Sequence, residues 1–156
     1  MLKRFNDLVT LAVETALGVG FLALIGTVAL QVVARNLLGL PFIWTLDLAQ
    51  LLFSWLVFVG AAVAFRRGAH YTVDLWPENS PRIDRVLQAI SLLGAVVVVF
   101  VLLRYGWNLT RIRWSGSVQS LGISRGWMFV PIPLSGALML LFLIEFLSGV
   151  LRRREA

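Results

Sequence analysis

Four long apolar runs fill most of this 156-residue chain and constrain its fold more than any other feature. They cover residues 15–34, 48–65, 86–103 and 127–151, each close to the ~20 residues that a helix needs to cross a bilayer. Because lipid offers no hydrogen-bond partners, the backbone of such a run must satisfy itself, which favours helices. We predict an all-α integral membrane protein, a single membrane domain over residues 1–156 with four transmembrane helices.

Composition excludes several classes of soluble protein. Hydrophobic residues make up 59% and charged residues 14% of the chain, against about 45–50% and 25% in a soluble domain. The absence of cysteine excludes disulfides and thiolate metal sites. The net charge of +6 comes from basic residues at the ends of the apolar runs, which indicates membrane orientation and not binding to nucleic acid. The first run is too long for a signal-peptide core, so we expect it to be a retained helix.

The distribution of basic residues predicts the orientation. With four spans both termini share one side of the membrane. That side carries nine basic residues, namely Lys3, Arg4, Arg66, Arg67, Arg82, Arg85, Arg152, Arg153 and Arg154. The other side carries five, namely Arg35, Arg104, Arg111, Arg113 and Arg125. The positive-inside rule therefore places both termini in the cytoplasm.

The turn between the first two runs carries a group of polar residues. Thr45 is the predicted N-cap of helix 2, and Asp47 the predicted acidic residue of its first turn. Gln31 and Gln50 lie near the same ends of their helices, and we expect Arg35 to pair with Asp47 across the hairpin. Polar groups in such positions commonly hold helices together. Helix 4 is expected to carry Pro131 and Pro133 in its first turns, where a missing N–H is tolerated.

Few other ionisable residues are candidates for a functional role. Glu14 and Glu145 lie at the predicted inner boundary of their helices, and Arg152 or Arg153 is the expected partner of Glu145. His70 is the only histidine and stands four residues before Asp74. We expect both in a structural or interfacial role, in a connection (69–81) that holds a short helix at the membrane surface, because a metal site usually recruits more ligands.

Several pieces of the chain, spread over residues 5–147, resemble the small permease subunit of tripartite ATP-independent periplasmic (TRAP) transporters, the DctQ-like family. These pieces are Arg35-Asn36, Trp44-Thr45-Leu46-Asp47, Gly60-Ala61-Ala62, Arg66-Arg67-Gly68-Ala69-His70, Val73-Asp74 and residues 126–136. Asp47 stands where the family most often has glutamate, and the acidic character is kept.

The resemblance implies a partner subunit and no chemistry of the chain's own. A large permease subunit would carry the sodium and substrate sites and move the substrate by an elevator-type motion, with this chain as static scaffold in the bacterial inner membrane. A periplasmic binding protein would deliver an organic acid. Arg35, Trp44, Asp47, Gln50, His70 and Asp74 would then be subunit-contact or structural residues, and no cofactor is expected in this chain.

Two other functions remain open from the residues alone. A membrane anchor of a respiratory oxidoreductase would normally carry haem-ligating histidines within its helices, whereas His70 lies between two runs. A small homo-oligomeric exporter or channel would need a charged residue facing its lumen in mid-membrane. The absence of an internal repeat favours an accessory subunit over a complete secondary transporter.

Overall fold

The computed structural model of the chain describes residues 2–37, 39–40, 42–67 and 81–154. It confirms the predicted all-α architecture. The four helices are α1 (Leu2–Leu37), α2 (Ile43–Arg66), α3 (Pro81–Arg113) and α4 (Pro131–Arg154). The runs 15–34, 48–65 and 86–103 fall wholly inside α1, α2 and α3. The predicted helix in the connection 69–81, with His70 and Asp74, falls outside the described residues except for Pro81, which begins α3.

Length and composition make three of these helices able to cross a membrane. Among the described residues the candidate spans are Asn6–Leu37, Ile43–Arg66 and Ile90–Arg113. Helix α4 has 24 residues, and it is apolar over Pro131–Glu145, the part whose side chains are described.

The start of α2 differs from the prediction. The N-cap is Phe42, and its side chain makes no capping hydrogen bond. Thr45 is already helical and fully buried, and its hydroxyl donates to the carbonyl of Phe42 at 2.6 Å. The prediction of Thr45 as N-cap was therefore wrong, because its hydroxyl serves a backbone acceptor. Asp47 lies beyond the first turn, which contains no acidic residue.

The helices pack in a chain of neighbours. Helix α1 lies along α2, α2 against α4, and α4 along α3, whereas α1 contacts α4 only slightly. The core lies where α2, α3 and α4 meet, at Ala62, Val99 and Met139. Close approach of α3 and α4 requires a glycine, because a Cβ on Gly106 would lie 2.7 Å from Cγ2 of Ile132.

A small cap joins α3 to α4, and the sequence did not predict it. Helix α3 continues to Arg113, and a hairpin of two short antiparallel strands follows, β1 (Ser117–Val118) and β2 (Ile123–Ser124). A 3-10 helix (Arg125–Met128) then leads into α4. The fourth run was predicted from residue 127, but α4 begins at Pro131, because Trp127 belongs to the 3-10 helix.

Candidate functional site

At the end of the bundle where α1 starts and α2 and α4 finish, Arg66 joins three helices. We call this end the termini end. Nη1 of Arg66 donates to the hydroxyl of Thr10 at 2.5 Å, and Nη2 donates to Oδ1 of Asp7 at 2.7 Å. Nη2 also lies 3.4 Å from Oε2 of Glu145 on α4. The guanidinium carbon lies 5.3 Å from the ring centre of Phe142, a cation–π distance.

Asn6 completes this group, which we call the Arg66 cluster (Asn6, Asp7, Thr10, Arg66, Phe142 and Glu145). Its Nδ2 donates to Oε2 of Glu145 at 2.7 Å, and its backbone carbonyl accepts from the hydroxyl of Thr10 at 2.8 Å. Asn6 is 1% exposed, and no described residue donates to its Oδ1. Since polar groups beside lipid must find protein partners, the cluster fixes the three helix ends relative to one another.

The acidic residues predicted at the boundary lie in this region. Glu145 contacts Asn6 and Arg66, on helices distant in sequence. The arginines expected beside it, Arg152 and Arg153, have side chains outside the described ones. Glu14 lies 2.6 Å from Nη2 of Arg67, but the Arg67 side chain is 68% exposed. This second pair is therefore more hydrated than the Arg66 cluster, and weaker.

At the opposite end, which we call the hairpin end, the cap is fixed to α2 by side-chain hydrogen bonds. The Ser54 hydroxyl donates to the carbonyl of Met128 at 2.6 Å, and Trp55 Nε1 donates to the carbonyl of Trp127 at 3.1 Å. Carbonyls of a 3-10 helix lack the partners of a long helix, so α2 supplies them. The Ser124 hydroxyl accepts from the N–H of Gly126 and donates to the carbonyl of Trp114.

A hollow of about 760 Å³ lies between this cap and the start of α2; we call it the larger hollow. Its polar lining combines Asp47 and Gln50 of α2 with Arg113 of α3 and Arg125 of the 3-10 helix. Other lining residues come from the hairpin, and among them the Ser120 hydroxyl donates to Asp47. The described part of the chain shows no ion pair that includes Arg113 or Arg125.

A second hollow, of about 390 Å³, lies on the other side of Ile43 and is lined by Gln31 and Arg35. The structure therefore separates two residues expected to pair. Arg35 faces the smaller hollow and Asp47 the larger one, where Asp47 is bonded to Ser120. The prediction of an Arg35–Asp47 ion pair was wrong, because the hairpin, which the sequence did not reveal, supplies the partner of Asp47.

The remaining predicted contact residues lie at the surface of the hairpin end. Trp44 is 39% exposed, and its ring centre is 6.3 Å from that of Phe42. Arg35 and Gln50 are exposed as well. Within the described ranges no three His, Cys, Asp or Glu side chains come together as a metal site.

Sequence reasoning missed Ser54, Trp55, Asn6 and Arg66 as structural contacts. Only Arg66 had been considered, for its charge. A serine and a tryptophan in the middle of an apolar run were the available signal for the docking of the cap, since buried tryptophan and serine need hydrogen-bond partners.

Comparisons with known proteins agree with this architecture. The model of the family described as "Tripartite ATP-independent periplasmic transporters, DctQ component" matches residues 24–153. The sialic acid TRAP transporter small permease protein SiaQ of Vibrio cholerae is 28% identical over 131 residues, which are 83% of this chain and 76% of that protein. The C4-dicarboxylate TRAP transporter small permease protein DctQ of Pseudomonas aeruginosa is 29% identical over 118 residues, 72% of this chain and 56% of that protein.

A longer relative shows the same similarity. The sialic acid TRAP transporter permease protein SiaT of Haemophilus influenzae is 29% identical over 130 residues, which are 82% of this chain and only 21% of SiaT. The predicted resemblance is thus confirmed over most of the chain. With its apolar helices and the family match over residues 24–153, the chain is a multi-pass membrane protein that belongs to the DctQ family of TRAP transporter small permease subunits.

Proposed function

We propose that this protein is the static scaffold of a TRAP transporter in the bacterial inner membrane, bound to a large permease subunit. The transporter takes up an organic acid together with sodium ions, and a periplasmic binding protein delivers the substrate. The observation that carries the proposal is the family match over residues 24–153. The chemistry of the chain supports a scaffold, since residues 15–34, 48–65, 86–103 and 127–144 contain no ionisable side chain.

A scaffold needs a surface for its partner, and α1 offers one. Between residues 11 and 33 of α1, Thr27 is the one residue buried within this chain. Large apolar side chains are exposed along it, among them Val19 at 63%, Leu22 at 69% and Ile25 at 51%. Such a surface suits either lipid or the helices of another subunit. This chain matches 21% of SiaT, which is a longer permease protein. That match supports a large permease as the partner that covers part of the α1 surface.

The proposed transport chemistry belongs to the partner. Sodium and substrate sites in a membrane protein need polar or ionised ligands at the depth of the site. The ionisable groups of this chain lie towards the ends of its apolar runs, and Asp7, Glu14 and Glu145 are already paired with arginine. We therefore assign the ion and substrate sites to the large subunit, and to this chain no enzymatic activity.

The proposed orientation places the termini end in the cytoplasm. Nine of the basic residues belong to that side and five to the other, as the positive-inside rule requires. The hairpin end then faces the periplasm, where the binding protein approaches.

The decisive experiment is purification of the tagged chain from gently solubilised native membranes, followed by mass spectrometry. We expect a large multi-spanning permease in a fixed ratio to the tagged chain. Recovery of a homo-oligomer without a permease would contradict the scaffold and favour the exporter or channel. Haem or a redox subunit in the purified complex would instead favour the respiratory anchor.

A further inference from the structure

We propose that the larger hollow binds the headgroup of phosphatidylethanolamine, with the phosphate at Arg113 and Arg125 and the ammonium at Asp47. The inference depends on the membrane location of the chain and not on the transporter proposal. The volume of about 760 Å³ is within the range of sites for small molecules, ~300–1,000 Å³. Charged residues of both signs line this one hollow.

The hollow lies at the depth of lipid headgroups. Its lining includes Ile43, the first residue of one candidate span, and Arg113, the last residue of another. Exposed tryptophans mark the same level, namely Trp44, Trp114 and Trp127, with exposures of 39%, 49% and 44%. Tryptophan is enriched where hydrocarbon meets headgroups. A phospholipid of this leaflet therefore presents its phosphate where the two arginines are.

The charges fit a zwitterionic headgroup better than a purely anionic one. No described residue forms an ion pair with Arg113 or Arg125, and guanidinium groups bind phosphate through paired hydrogen bonds. Asp47 lines the same hollow and is held by the Ser120 hydroxyl. A carboxylate repels a headgroup that offers only a phosphate. It attracts one that also carries an ammonium, which can donate hydrogen bonds to it.

Two hydrogen bonds position parts of this hollow. The N–H of Arg125 donates to the carbonyl of Gly116 at 2.7 Å, which fixes the backbone of Arg125 beside the hairpin. Asp47 is fixed to the hairpin through Ser120. Positioning of the Arg125 backbone and of the Asp47 carboxylate before binding lowers the entropy cost of binding a ligand.

The rim offers a path for the acyl chains. Ile43, which lines the hollow, is 71% exposed, and Phe129 and the buried Met128 line the hollow as well. An acidic protein surface could match the two arginines, but it would leave this apolar rim in contact with water. A lipid satisfies both parts of the site, and we therefore favour it.

The test is native mass spectrometry of the full chain, delipidated in detergent and titrated with phosphatidylethanolamine, phosphatidylcholine and phosphatidylglycerol of matched acyl chains. For the unmodified chain we expect phosphatidylethanolamine to bind roughly fivefold more tightly than either other lipid, the order expected of one charged hydrogen bond at a partly hydrated site. Phosphatidylcholine keeps the phosphate, but its ammonium cannot donate a hydrogen bond. This arm needs no variant, so a folding defect does not affect it.

Two variants and one control then assign the residues. Arg113→Gln combined with Arg125→Gln should weaken all three lipids roughly tenfold, as expected when hydrogen bonds from charged donors are lost. Asp47→Asn should remove the preference for phosphatidylethanolamine. Arg111→Gln is the matched control, since Arg111 is exposed on α3 but does not line the hollow. Circular dichroism and gel filtration verify the fold of each variant.

Three results would overturn the proposal. The first is equal binding of the three lipids to the unmodified chain. The second is an equal loss of binding in the Arg111→Gln control. The third is a double arginine variant that binds lipid as well as the unmodified chain but, in nanodiscs, no longer binds the periplasmic binding protein. That result would assign the hollow to a protein partner.

Discussion

Replacement of Arg66 by glutamine tests how the termini end is stabilised. The substitution removes a guanidinium that is 16% exposed and that contacts Asp7, Thr10 and Glu145 at 2.7, 2.5 and 3.4 Å. Glutamine retains a polar group of shorter reach and no charge. Glu145 keeps the hydrogen bond from Asn6, so its carboxylate does not lose every partner.

The expected loss of stability follows from the exposure of each contact. A hydrogen bond from a charged donor to a buried hydroxyl such as that of Thr10 contributes about 1.5–3 kcal/mol. The pair with Asp7, whose side chain is 56% exposed, contributes about 0.5 kcal/mol. The long contact with Glu145 and the ring of Phe142 add about 1 kcal/mol together. Desolvation of the guanidinium offsets part of this gain, and we expect a net loss of about 2 kcal/mol.

The assay is reversible unfolding in mixed micelles of increasing denaturing-detergent fraction, followed by the fluorescence of the six tryptophans. The adjacent arginine gives a matched control. Arg67 pairs with Glu14 but is 68% exposed, so Arg67→Gln should lower the free energy of unfolding by less than about 0.5 kcal/mol.

A double-mutant cycle of Arg66→Gln with Glu145→Gln should give a coupling energy of about 0.5 kcal/mol. The reasoning would be refuted by equal losses at Arg66 and Arg67, since burial would then not decide the strength of the two pairs. A loss below about 0.5 kcal/mol at Arg66 would likewise refute the magnitude assigned to buried polar contacts.

Three further predictions concern other parts of the bundle. Gly106→Ala should lower the free energy of unfolding by about 1–3 kcal/mol, because the new Cβ would lie 2.7 Å from Cγ2 of Ile132. Gly94→Ala is the control, since a Cβ on Gly94 would have nothing within 4 Å. Equal effects of the two substitutions would contradict the close approach of α3 and α4. Ser54→Ala should lower the free energy of unfolding by about 1 kcal/mol through the lost hydrogen bond to the 3-10 helix, and it should shift the tryptophan emission. An unchanged emission spectrum would argue against docking of the cap. Glu145→Gln should leave sodium-dependent uptake intact in proteoliposomes of the assembled transporter, whereas loss of coupling with normal assembly would place a transport role in this chain.

The helices could be predicted from the sequence because a long apolar run in lipid has few alternatives to a helix. The runs 48–65 and 86–103 lie inside α2 and α3, and the helices extend past them at both ends. The ends were less predictable, since polar residues there have several possible partners. Threonine is a common residue at helix N-caps. However, a hydroxyl that can accept from an N–H can equally donate to a carbonyl, as that of Thr45 does here to Phe42.

The contacts between distant segments were the least predictable part. Asn6 and Glu145 are 139 residues apart, and no local spacing points to their contact; the expected pairing of Glu145 with Arg152 or Arg153 stays a prediction, because those side chains lie outside the described ones. The topology held a usable signal, because it places the start of α1 and the ends of α2 and α4 in one boundary layer. The hairpin was missed because each of its strands has only two residues, too few for an alternating pattern, although Gly122, with φ of 66°, supplies a typical turn residue.

The two ends of the bundle should respond differently to the thickness of the bilayer. Helix α3 has 33 residues and is about 50 Å long, which exceeds the ~30 Å of bilayer hydrocarbon. Its turns therefore extend beyond the hydrocarbon, while the hairpin, fixed to α2 through Ser54 and Trp55, closes one end of the bundle. In a thinner or thicker membrane the hairpin end should keep its depth, and the uneven helix ends opposite should absorb the mismatch by exposing or covering one more turn.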